Sequence, residues 1–141
     1  MFQRALPLLL AVCCVAPLGC GRSGGLYPVK GKVLHNGAPA VGATVSFYRK
    51  GGTDRAQEHT PQGVVGEDGT FELASPAGKG AVPGEYIVLV EWKVGAGKAR
   101  GRSPGLSAPD RFKGRYLNPD NPQLHALVKP TSNDLPPFEL R

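Results

Sequence analysis

Cysteine is absent from the chain after residue 20, and the three that occur, Cys13, Cys14 and Cys20, all lie near its start. The first two sit inside an apolar run that leaves with a removed leader. The remaining chain would hold one thiol, which closes no intramolecular disulfide, so a disulfide-stapled scaffold is excluded. Helical periodicity is missing too: no stretch downstream of the leader repeats apolar residues on one helical face. Acidic residues are few, 11 against 17 lysines and arginines, for a formal charge of +6. Aromatic residues are sparse at 7%, with one tryptophan. No internal repeat is present.

Motifs for catalysis are likewise wanting. There is no G-x-S-x-G elbow, no phosphate-cradling glycine loop and no EF-hand spacing. His35, His59 and His125 fall in a turn, a variable loop and a strand, without metal-ligand spacing and without a cysteine to join them. The reading is non-enzymatic, with no cofactor and no metal.

What the chain does have is punctuation. Gly 20 and Pro 14 make up about a quarter of the 141 residues, and they fall between short apolar runs, as turns do in an all-β protein. The beginning differs. Arg4 is followed by "ALPLLLAVCCVAPLG", an apolar run too short, and too interrupted by Pro7 and Pro17, for a permanent transmembrane helix. It reads as a bacterial export signal. Removing residues 1–19 takes away Arg4, so basic residues fall from 17 to 16 against 11 acidic ones, about +5. Export argues against a nucleic-acid partner.

From residue 26 the pattern becomes that of strands. In "LYPVKGKVL", Tyr27, Val29 and Val33 share one face and Lys30 and Lys32 the other. Asn36–Gly37 is a strong hairpin signal. "AVGATVSFY" sets Ala43, Val45 and Phe47 against Thr44 and Ser46. "GVVGEDGTFEL" predicts a second hairpin turning at Asp68–Gly69, with Phe71 and Leu73 inward. "GEYIVLVEWKV" places Tyr86, Val88, Val90, Trp92 and Val94 on one face, and Ile87 and Leu89 make its second face partly apolar, as a central strand requires. "LHALVKP" and "PPFELR" complete about seven strands, with Leu124, Ala126, Val128, Phe138 and Leu140 as core candidates. Such a set predicts an antiparallel two-sheet sandwich.

Two segments interrupt this rhythm, 49–62 and 95–110, and both are expected to be the most mobile parts of the domain. The second carries Lys98, Arg100 and Arg102, and Arg111, Lys113 and Arg115 follow. These six are candidate contacts for an anionic partner. The alternative is a solvated loop.

Two resemblances add to this. Gly19–Cys20, after Leu18, resembles the lipobox of bacterial lipoproteins, although Pro17 stands where that family prefers leucine. The resemblance implies that Cys20 receives a diacylglycerol and becomes the first residue, with 20–26 as a flexible tether. Residues 27–141 resemble the carboxypeptidase regulatory-like domain, a transthyretin-like β-sandwich of bacterial surface and periplasmic proteins. The matching positions are Gly37, Ala38, Pro39, Gly42, Ala43 and Val45, then Gly69, Phe71 and Leu73, then Pro83, Gly84 and Tyr86. The tail from Asp110 to Leu140 is similar to the closing segment of small lipoproteins with this domain. The resemblance implies a lipid-anchored envelope module, facing the periplasm or cell exterior, that is structural or binds another envelope protein. The alternative is a module for glycans or anionic polymers. With Trp92 expected inward, only Tyr48 and Tyr116 remain as stacking platforms for sugars. Transthyretin-like hydrolases end in a "YRGS" motif, but this chain ends "FELR". Adhesin-type sandwiches form lysine–asparagine isopeptide bonds, for which Lys30 or Lys32 on the first strand and Asn133 near the last are candidates. The acid that such a bond needs is lacking in "PAGKGAV".

Overall fold

The protein is described by a computed structural model over residues 25–51, 60–97 and 107–141. Cys20, His59, Lys98, Arg100 and Arg102 lie outside the described residues, as does most of each interrupting segment.

In chain order the strands are β1 (Val29–His35), β2 (Ala38–Pro39), β3 (Thr44–Arg49), β4 (Gln62–Val64), β5 (Thr70–Glu72) and β6 (Ala74–Ser75). They continue with β7 (Gly78–Lys79), β8 (Gly84–Glu91), β9 (Leu124–Val128), β10 (Asn133–Asp134) and β11 (Phe138–Leu140). The described residues hold no helix. The strands form two sheets packed as a sandwich. One is built on β1, with β2 and β5 on one side and β10 and β11 on the other. The second runs β7-β6-β4-β3-β8-β9.

Alternation decides the inner faces. Val29, Gly31 and Val33 of β1 are buried and Lys30 and Lys32 exposed. Val45 and Phe47 of β3, and Tyr86, Val88 and Val90 of β8, face them. Phe47 and Tyr86 from one sheet meet Phe71 and Phe138 from the other. Their ring centroids are 5.7 Å (Phe47–Tyr86), 6.3 Å (Phe47–Phe71) and 6.2 Å (Phe71–Phe138) apart. Gly31 is required here, since a Cβ would stand 2.7 Å from the Phe71 ring. Tyr86 buries its ring and donates its hydroxyl to the Val82 carbonyl at 2.7 Å, and burial pushes its phenol pKa up.

The Asn36–Gly37 turn forms as expected, both residues with positive φ (52° and 78°), which fits a tight primed turn. The second expected hairpin does not. Its turn is present, but β4 pairs with β3 and β6 while β5 pairs with β1, so the chain changes sheets there. Asp68 fixes that turn by accepting the Thr70 amide at 3.0 Å and the Thr70 hydroxyl at 2.6 Å. These bonds hold its carboxyl below the ordinary 3.8. A depressed folded-state pKa gives stability that is present above the unfolded value and lost as pH falls through the folded one. Asp68→Ala is therefore expected to flatten the acid limb of stability below about pH 4, as read by urea titrations at several pH values.

The closing strands also differ from a purely antiparallel plan. β9 runs back towards the start of β1, so the strands after it must run with β1. β10 and β11 accordingly pair with β1 in parallel. Val94, expected inside, is 53% exposed, because the chain leaves the strand at Trp92 and turns.

Candidate functional site

The sandwich has two poles. At one, the chain enters through Tyr27, whose N–H and C=O pair with Ala81, and Pro28, whose carbonyl accepts the Asn133 amide at 2.8 Å. From there β1 runs its seven residues, about 20 Å, to His35 at the other pole. A tether before residue 26 therefore meets the domain at the end opposite His35.

The far pole is organised by Trp92 and Asp110. Trp92 follows β8, is 8% exposed, and donates Nε1–H to the Val41 carbonyl at 2.9 Å. Asp110 Oδ1 accepts the Trp92 amide at 2.8 Å, and its Oδ2 accepts the amides of Phe112 (3.1 Å) and Gly114 (2.9 Å). One carboxylate thus ties the end of β8 to the turn carrying Arg111, Lys113 and Arg115. His35 meets Trp92 and Phe112 edge-on, with centroids 5.7 Å and 5.3 Å away.

Of the six basic candidates, the three described are brought together on this turn and all are exposed. They are not equivalent. The Arg111 guanidinium lies 4.2 Å above the Trp92 ring, a cation–π contact made by an exposed side chain. Arg115 donates to the Arg141 carbonyl at 2.7 Å. Lys113 sits at positive φ (52°). Gly97, beside the segment with Lys98, Arg100 and Arg102, packs at the same pole, where a Cβ would meet Val41 at 2.8 Å. Such a surface can hold anionic groups by hydrogen-bonded charge.

Tyr116 is not a stacking platform. It is 7% exposed, packs edge-on against Phe112 at 5.0 Å, and its hydroxyl bonds the backbone of Arg141. Tyr48 is half-buried on β3. Lys30 points outward to Glu72 at 3.6 Å, while the Asn133 side chain is buried and fully engaged with backbone, so the two turn to opposite faces. Among the described residues no three His, Cys, Asp or Glu side chains converge as metal ligands would.

Asp110 was not apparent as an organiser from sequence. Its only local signal is a carboxylate two and four residues ahead of amides it can accept, an Asx-type turn. No protein-family model matches the chain, and no curated protein matches it.

Proposed function

We propose that the chain is an exported lipoprotein in which Cys20 carries the lipid and a non-enzymatic β-sandwich serves as an interaction module of the cell envelope. The observation that supports this most is the separation of the poles. A tether joined at Tyr27 puts the Trp92–Asp110 pole about 20 Å further from the bilayer, where it is free to meet a partner. Gly21–Gly25 add at most roughly 15–20 Å of reach, so the domain stays near its membrane.

The exposed Arg111, Lys113 and Arg115 favour a second reading, a module for an anionic envelope polymer. Their place at the far pole points them away from the anchoring bilayer, so their charge is directed to something other than its headgroups. A neutral glycan is less suited, since the tyrosine and tryptophan rings of the pole are covered.

The experiment is Cys20→Ser in a bacterium that processes lipoproteins. The variant is expected to leave the membrane fraction, or to keep its leader uncleaved. A variant that loses its leader normally and stays in the membrane fraction contradicts the reading.

A further inference from the structure

We infer that the outward edge of β9 binds an extended, unpaired peptide segment of a partner protein, which joins the second sheet as an added strand. The proposal rests on the domain alone and is independent of the lipid anchor.

Antiparallel strands direct the backbone groups of alternate residues to opposite sides. On the β3 side of β8, the Glu85 carbonyl accepts the Lys50 amide. On the other side, Val90 donates to the Tyr116 carbonyl, and Trp92 accepts from Arg111. Even-numbered residues of β8 therefore face β9, where Gly84, Tyr86 and Val88 are opposite Val128, Ala126 and Leu124. His125 and Leu127, between them, turn N–H and C=O away from the sheet. Among the described residues no other strand pairs with β9.

The next residue of that phase confirms it and indicates the ligand. Lys129 donates its amide to Asn133 Oδ1 at 2.8 Å, and its carbonyl accepts Asn133 Nδ2 at 3.1 Å. A carboxamide has the donor and acceptor of a peptide group, so the fold already seats a peptide surrogate on this edge. The pairing stops one step before Leu127 and His125. Unpaired edge groups of this kind are what an added strand recognises.

The surroundings select the occupant. The edge opens on a groove of about 500 Å³ whose far wall includes Leu135, Pro136, Pro137 and Phe138. Leu127, 55% exposed, offers apolar contact to the segment's side chains. Lys129 has no ion-pair partner among the described residues, so an acidic residue of the segment is complemented there.

The test pans a phage-displayed library of random decapeptides on the full chain and titrates synthetic winners against ¹⁵N-labelled protein. The expected winners alternate apolar residues and carry an acid. They shift the His125 and Leu127 amides and slow their exchange. Leu127→Pro deletes an outward N–H and leaves the β8 ladder intact. It is expected to weaken binding at least tenfold, as is N-methylation of alternate peptide residues. Leu127→Lys, which keeps the backbone, serves should the proline variant fail to fold, and is expected to weaken binding likewise. Winners that bind wild type and both variants equally overturn the proposal, as do winners that shift only other residues, or a panning with no winners. So does protection of His125 and Leu127 that rises with protein concentration alone, since a second copy would then occupy the edge.

Discussion

Trp92→Ala is expected to cost about 3–5 kcal/mol, the range for deleting a large buried aromatic. The ring is almost enclosed, and its loss removes more than area. The Val41 carbonyl loses its Nε1–H donor, His35 loses an edge-on partner, Phe112 loses a tilted one, and Arg111 loses the ring beneath its guanidinium. For a domain of this size that loss corresponds to a fall in Tm of roughly 10–30 °C. Trp92→Phe keeps an aromatic body and loses the Nε1 bond, so it should cost less, with the hydrogen-bond share near 1 kcal/mol. Urea unfolding followed by circular dichroism separates the two. Equal, small effects from both substitutions would mean that Trp92 does not seal the far pole.

Asn133→Asp is expected to destabilise by about 3 kcal/mol or more at neutral pH and much less in acid. The Asn133 Nδ2 donates to the carbonyls of Thr131 at 2.7 Å, Lys129 at 3.1 Å and Pro28 at 3.3 Å. A carboxylate there places an oxygen against three oxygens and has no proton to give. The folded state therefore favours the neutral acid, which raises its pKa above the unfolded value of about 3.9. The variant is most stable below that value, loses stability as pH rises from it to the raised folded value, and bears the full cost above. Asn133→Ala should cost about 1–3 kcal/mol without this pH dependence. Stability measured from pH 3 to 8 checks the sign, and a flat Asp profile would refute the role given to Nδ2.

The strands could be read from sequence because alternation is a local property. The buried residues of β1, β3 and β8 are the ones their period predicts, and Asn36–Gly37 turns where its dipeptide says it should. The assignment of strands to sheets was less legible. Asp68–Gly69 looks like a hairpin turn whether its strands pair with each other or with different sheets, because the turn's own hydrogen bonds are the same. The parallel pairing of β10 and β11 depends on the direction in which β9 returns, which no short window records. At the site, Arg111, Lys113 and Arg115 could be named from their charge alone. Asp110 could not, because its partners Trp92 and Gly114 are joined only by the fold. Asn133 was noticed for a covalent chemistry that its burial away from Lys30 does not favour, and its bonds to Lys129 instead mark where the β9 edge closes. The edge left no trace in the sequence, since free backbone groups carry no side-chain signature.

The central claim is that the sandwich is held to a membrane through Cys20 at the pole opposite Trp92. Mass spectrometry of the N-terminal peptide of the wild-type protein, taken from the membrane fraction, tests it most directly. The account predicts a peptide that begins at Cys20 and carries the added mass of a diacylglycerol on sulfur. A mature chain that begins elsewhere, with an unmodified Cys20 or none, would contradict it.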